Sequence, residues 1–266
     1  MRAKKSLGQH FLIDGHSIRQ IVDEAKIGAD DLVVEIGPGR GALTEFLVRC
    51  AGQVVAIEID RDLCGILERT FASHKNFRLI ASDVLDIDLV QLVKESGFSR
   101  AILIGNLPYQ ITGILMRQIF ESRDAFHQAI IMVQREVARR LTAEAGNKDY
   151  GVLTTVTQIN CVPQLLFDLP PSFFDPPPKV HSSAVRLQFD CDPLYSVVDR
   201  DLFLKVVHAA FQQRRKMLRN TLRPLFGDDV LLGDILEGVG IDATLRAEAV
   251  SVDGFEKIAR AWQKRR

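Results

Sequence analysis

Val33-Val34-Glu35-Ile36-Gly37-Pro38-Gly39-Arg40-Gly41-Ala42-Leu43-Thr44 reads as a buried strand that runs through a glycine loop into a helix. Glycines at such a turn let the backbone approach a ligand closely. Working outward, strands are expected at Asp31 to Ile36, Gln53 to Ile59, Phe77 to Ala81, Ala101 to Gly105 and Ala129 to Val133, with helices beginning near Ala42, Asp62, Asp86 and Thr112. Strict alternation of strand and helix implies parallel pairing with right-handed crossovers. Two further strand-like runs, Val162 to Leu169 and Val180 to Phe189, are joined by a proline-rich loop too short for a crossover helix, so an antiparallel hairpin should close the sheet. Beyond Cys191-Asp192-Pro193 apolar residues recur at helical spacing, as in Leu202, Val206, Val207, Ala210 and Phe211. The expected fold is therefore α/β: a Rossmann-like sheet domain over residues 1–190 and a small all-helical domain over 191–266.

Composition sets wider bounds. A chain of 266 residues that is 47% apolar can bury a substantial core. No apolar run approaches the roughly 20 residues that span a bilayer. Met1-Arg2-Ala3-Lys4-Lys5-Ser6 leads into Gly8-Gln9-His10 rather than a signal-peptide core, so the expected location is the cytoplasm, with no membrane partner. Cys50, Cys64, Cys161 and Cys191 lie far apart, which suggests reduced, mostly buried thiols and neither a disulfide framework nor a metal site. The 34 basic and 34 acidic residues cancel, which argues against indiscriminate coating of nucleic acid. Yet basic residues cluster at Arg2, Lys4 and Lys5; at Arg135, Arg139, Arg140 and Lys148; at Arg214, Arg215, Lys216, Arg219 and Arg223; and at Lys264-Arg265-Arg266. Each cluster alone reads as a solvated face; together they suit a one-sided footprint on a polyanion.

The ends of the strands carry the chemistry. Gly37-x-Gly39-x-x-Ala42 satisfies a loose dinucleotide fingerprint, and Glu58 stands near the distance expected of an acid that holds a ribose. Two features favour S-adenosylmethionine over NAD: Pro38 removes an N–H that a pyrophosphate would use, and Ser82-Asp83 offers a carboxylate to an adenine amine. Asn106-Leu107-Pro108-Tyr109 follows the fourth strand. It supplies an amide oxygen, backbone carbonyls and an aromatic face, which together fit a flat base carrying an exocyclic amine, although Asn and Pro are also ordinary turn residues.

Lys4 to Leu12 (KKSLGQHFL), the Gly37 loop, Glu58-x-Asp60, Ser82-Asp83-x-Leu85, the Asn106 tetrapeptide, Gln134-Arg135-Glu136-Val137, Pro176-Pro177-Pro178-Lys179-Val180 and Phe211-x-x-Arg214-Arg215-Lys216 occur in that order. In this ordered set the chain resembles the ribosomal RNA adenine dimethylase family, on its small-subunit side, from residue 4 to Arg246-Ala247-Glu248. His10 departs from the pattern, which more often has Asn, and an imidazole there makes the contact pH-sensitive.

The resemblance implies S-adenosylmethionine-dependent N6,N6-dimethylation of two adjacent adenines near the 3′ end of small-subunit ribosomal RNA, in ribosome biogenesis. The implied donor site comprises His10, Leu12, Gly37, Gly39, Glu58, Asp83 and Asn106. The implied acceptor site comprises Asn106, Leu107, Pro108 and Tyr109, with Phe174 either covering the second face of the flipped base or plugging the space beneath the proline-rich loop, the plug being the favoured reading for Phe173. Arg135, Arg214, Arg215, Lys216 and Arg219 are the expected RNA contacts, with the run from Arg214 placed on a helix beside Phe211 and Leu218. The expected partners are the small ribosomal subunit and its RNA, and the expected form is a monomer. A resistance-type methylase of a large-subunit adenine, a mitochondrial transcription-factor relative and, more distantly, a nicotinamide oxidoreductase remain as alternatives.

Overall fold

In chain order the elements are β1 (Phe11–Leu12), α1 (Gly15–Ala25), β2 (Asp31–Ile36), α2 (Thr44–Cys50), β3 (Gln53–Glu58), α3 (Arg61–Phe71), β4 (Phe77–Ala81), α4 (Leu89–Ser96), β5 (Arg100–Asn106), α5 (Thr112–Glu121), β6 (Gln128–Gln134), α6 (Arg135–Leu141), α7 (Val152–Gln158), β7 (Val162–Leu169), β8 (Phe174–Asp175), β9 (Ser182–Gln188), α8 (Arg200–Phe211), α9 (Leu218–Phe226), α10 (Asp229–Gly238) and α11 (Val252–Gln263). This computed structural model describes Ala3, Lys4 and residues 7–265. Arg2, Lys5, Ser6 and Arg266 of the predicted basic groups and N-terminal motif lie outside the described residues.

The large sheet has the order β4-β3-β2-β5-β6-β9-β7. Its first five strands are parallel, and β9 runs antiparallel to β6. Burial explains why the sequence shows continuous apolar runs rather than alternation: every residue of β2 is buried, as both faces of a parallel sheet are covered. Ile18, Ile21 and Ala25 of α1, Leu47 of α2, and Leu67 and Phe71 of α3 pack with Val33, Val54, Ile102 and Ile104 of the strands. Aspartates set several helix starts. Asp14, Asp60 and Asp88 each accept a backbone N–H from the first turn of α1, α3 and α4. The helix expected near Asp86 begins instead at Leu89, because Asp83 caps a short 3₁₀ turn over Val84–Asp86 first.

The chain divides into two compact units. The first runs to Ala138 and resumes over Gln164–Asp190; the second takes Arg139–Pro163 and the chain from Cys191 onward. The boundary expected at 190/191 falls at the second crossing. Residues 139–163, expected in the sheet domain, fall with the helical unit instead: Ala143, Tyr150 and Ile159 are buried with Phe203, Val207, Phe255 and Trp262 in its core. Two of the four thiols, Cys64 and Cys161, are buried, while Cys50 and Cys191 are exposed. No described helix is long and apolar enough to cross a membrane.

Candidate active site

Four strand ends converge on one cavity. The strand order reverses direction at β2, with β3 on one side and β5 on the other, and open α/β sheets bind ligands at such a switch point. The in-register pairs Ile36↔Ile57, Ile36↔Gly105 and Glu58↔Ala81 bring the Gly37 loop, Glu58, Ser82-Asp83 and Asn106 to the same edge. All of them line the cavity, together with His10, Leu12, Leu107, Pro108 and Tyr109. Gly39 has a φ of +59°, and a Cβ there would stand 2.8 Å from the Phe11 ring. Only glycine lets the loop pass beneath the N-terminal segment.

Glu58 is the best-defined polar group of the site. It is 5% exposed, with Oε2 accepting from the Gly39 N–H (3.1 Å) and Oε1 from the Asp60 N–H (2.9 Å). Burial pushes its pKa up, and the backbone donors oppose that shift. Oriented by these backbone donors and lining the cavity, the carboxylate is of the chemistry that accepts from vicinal hydroxyls. At the next strand end, Asp83 Oδ1 accepts from the Leu85 N–H (3.0 Å), which orients the carboxylate while its other oxygen stays available to an amine. Ile59, 48% exposed between the acids Glu58 and Asp60, and Val84 add apolar surface beside these two acids. This set fits S-adenosylmethionine: hydroxyl acceptors, an amine acceptor, an apolar slot and a glycine cradle.

The N-terminal segment closes this side of the site. β1 pairs with β8 through Phe11↔Asp175 and Leu12↔Phe174. Arg40 stacks over Phe11 at 4.4 Å and bonds Asp175 at 2.6 Å. Lys4 Nζ reaches Asp60 (2.6 Å) and Asp62 (2.7 Å), and Gln9 Nε2 donates to Asp60 (2.8 Å). Burial alone would raise the Asp60 pKa, but Lys4, Gln9 and the Asp62 N–H outweigh it and hold it below the ordinary value. The sequence signal for Gln9 and Asp60 is no more than their position beside His10 and Glu58.

Glu35 also lines the cavity, although its place inside an apolar strand gives no sign of this in the sequence. Its carboxyl is 1% exposed, accepts from the Thr44 hydroxyl (2.7 Å), and is raised by burial from 4.5 to about 7, with Glu58 adding to the shift. The unfolded chain ionises this group near 4.5, whereas the folded chain keeps it neutral to about 7. Its contribution to stability is therefore fully present below about 4.5, falls as pH rises, and is lost above about 7. Glu35→Gln keeps an acceptor for Thr44 and removes the titration. Relative to that variant, the parent should lose on the order of 3 kcal/mol between about pH 4.5 and about pH 8. Urea denaturation at both pH values measures this, and parallel pH dependence in the two proteins would show that Glu35 does not titrate in this range.

The acceptor loop is preset by neighbouring carbonyls. Asn106 Nδ2 donates to the His10 carbonyl (2.8 Å), which turns the amide so that Oδ1 is the free acceptor. The Leu107 N–H donates to Met132 (3.0 Å), and its own carbonyl has no partner among the described residues. The Pro108 carbonyl is taken by Ile111 N–H and the Thr112 hydroxyl, which start α5. Two acceptors thus remain for an exocyclic amine, beside the half-buried ring of Tyr109. Phe174 is not among the residues that line the cavity. It is 2% exposed within the apolar cluster of the first unit, beside the β1–β8 pairing.

The basic residues divide by what they bond. Arg214 donates to the Lys148 and Tyr150 carbonyls and pairs with Glu248 at 3.6 Å, so it holds its own unit together. The run Arg214-Arg215-Lys216 occupies the turn between α8 and α9 rather than a helix, because Met217 bridges to Arg246 and Leu218 N–H bonds Leu245 there. Arg215, Lys216 and Arg219 are exposed. Arg135, at the start of α6, stands 3.9 Å from Asp168.

A family model described as ribosomal RNA adenine dimethylase matches residues 1–264. The chain is 40% identical to the ribosomal RNA small subunit methyltransferase A of Moorella thermoacetica, over 98% of this chain and 92% of that one. It is 38% identical to the protein of the same name from Caldanaerobacter subterraneus subsp. tengcongensis, over 98% and 97%. Among solved structures it resembles a dimethyladenosine transferase from Plasmodium falciparum, with a TM-score of 0.81 and 24% identity over 96% of this chain and 98% of that one. It also resembles the 23S rRNA methyltransferase ErmE, with a TM-score of 0.73 and 24% identity over 95% and 99%. At these identities the two structures speak for the fold.

Proposed function

The chain belongs to the ribosomal RNA adenine dimethylase family, and from that premise we propose that it dimethylates N6 of two adjacent adenines near the 3′ end of small-subunit ribosomal RNA, acting as a cytoplasmic monomer during ribosome biogenesis. The carrying observation is the pair of free acceptors, Asn106 Oδ1 and the Leu107 carbonyl, next to the Tyr109 ring. The small-subunit assignment is supported by relatives of that name at 38–40% identity over nearly the whole chain.

S-adenosylmethionine supplies the methyl group already activated on a sulfonium. The protein's task is positioning. The N6 lone pair of adenine is delocalised into the ring, which makes the amine a poor nucleophile. Asn106 Oδ1 and the Leu107 carbonyl accept its two N–H groups and favour a tetrahedral nitrogen with the lone pair turned toward the donor side. Tyr109 stacks on the base, an interaction worth on the order of 1–3 kcal/mol. Glu58 and Asp83 hold the donor by its hydroxyls and adenine amine. A strong general base is not required, since the methylated nitrogen releases its proton readily to water.

Labelled methyl transfer to purified small subunits lacking the modification, followed by nucleoside analysis, tests the reading. Dimethyladenosine at two adjacent positions is expected; label in large subunits instead would move the chain to the resistance-type alternative. The helical unit gives a separate expectation. Replacing Arg215, Lys216 and Arg219 by alanine should weaken subunit binding and reduce the slope of log affinity against log salt by about 0.7 to 0.9 per lost phosphate contact. Arg214 is left in place because it supports the Lys148–Tyr150 loop. An unchanged salt slope would remove these residues from the footprint.

A further inference from the structure

Tyr109 is held at its far end by Ser182, a residue distant from it in sequence. Its hydroxyl lies 2.5 Å from Ser182 Oγ. Ser182 is fully buried, and its backbone is in register with Gln134 where β9 pairs with β6. Burial pushes the Tyr109 phenol above its ordinary range, with Ser182 partly offsetting the shift, so the phenol keeps its proton. The ring is constrained on one face as well. His10 stacks on it with centroids 5.7 Å apart and planes 25° from parallel. His10 Nδ1 is in turn 2.6 Å from the Pro176 carbonyl, which fixes the proton on Nδ1 and the imidazole in place. A ring that closes the loop after β5 would otherwise turn about two side-chain bonds. Here its end is tied to the interior of the sheet, and one face is already covered.

We propose that Ser182 is a positioning residue for methyl transfer: its buried hydroxyl fixes the plane of the Tyr109 ring, so that the target adenine stacks on the face that His10 leaves open. This rests on the acceptor-site reading given above. The consequence is greatest for the second transfer. After one methyl is attached, N6 has a single N–H left, so only one of the two acceptors, Asn106 Oδ1 or the Leu107 carbonyl, is engaged. The angle of the base then depends more heavily on the ring beneath it.

The test is a double-mutant cycle with Ser182→Ala, Tyr109→Phe and the double variant, measured on small subunits lacking the modification. Each single change removes the same hydrogen bond from one end, and Tyr109→Phe keeps the test intact should Ser182→Ala disturb β9. Each is expected to lower kcat about two- to tenfold, the range of one neutral hydrogen bond, with the KM for subunits nearly unchanged. The double variant should be no slower than the slower single variant. The monomethyl share of the product should rise in all three, and calorimetric affinity for S-adenosylhomocysteine should stay at the parent value. Losses that multiply in the double variant, a product ratio equal to the parent's, or a rate loss matched by weaker S-adenosylhomocysteine binding would each overturn the proposal while leaving the acceptor site standing. A parent chain that makes no dimethyladenosine on small subunits would overturn the underlying reading and the proposal with it.

Discussion

Asn106→Ala is expected to lower the rate of methyl transfer by about 10²-fold or more, the scale of an acceptor misplaced in the reacting geometry. The side chain works at both ends. Nδ2 donates to the His10 carbonyl, and Oδ1 is thereby left as the acceptor proposed for the adenine amine. Alanine removes the acceptor and also strips His10 of its partner, loosening the ring that covers one face of Tyr109. Asn106→Asp separates these losses. It restores an acceptor but cannot donate to a carbonyl, so it should remain far below the parent. Both variants should still bind small subunits normally, since Asn106 is not among the proposed phosphate contacts. Single-turnover transfer on unmodified subunits measures the effect, and an Asn106→Ala rate within tenfold of the parent would show that the amide is not the acceptor.

The sheet was legible because its physics is local. β2, a parallel strand covered on both faces, is a continuous apolar run ended by Gly37, and the less buried edge strands β4 and β7 also begin and end where their apolar runs do. The same rule exposed the site. An acid at the end of a buried strand, such as Glu58, needs a partner to justify its position, and the partners turned out to be the Gly39 and Asp60 N–H groups. What stayed hidden depends on contacts distant in sequence. Nothing periodic announces that Tyr150 and Ile159 belong with the helices after residue 191, and no pattern shows that Arg214 spends its guanidinium on the carbonyls of Lys148 and Tyr150. Phe174 was ambiguous for the same reason: a two-residue pairing with β1 buries it, and strands that short have no readable alternation. Ser182 sits 73 residues from the tyrosine it holds.

Glu58→Ala should weaken binding of S-adenosylmethionine by roughly 1–3 kcal/mol, or about 5- to 150-fold, through two losses at once. The first is the acceptor for the ribose hydroxyls. The second is local: the Gly39 and Asp60 N–H groups lose their shared carboxylate, so the glycine loop and the start of α3 are no longer tied together. Glu58→Gln isolates the second effect, because a glutamine offers one oxygen and sets its Nε2 donor against a backbone donor. It should therefore fall between alanine and the parent. Since Glu58 lies on the donor side, Asn106 and Tyr109 keep their geometry, and at saturating cofactor both variants should recover much of the parent rate. Titration calorimetry gives the affinities, and rates across a cofactor series give the rescue. Unchanged affinity in Glu58→Ala, or measurable NAD binding by the parent, would be incompatible with a ribose held at this strand end by a methyl donor.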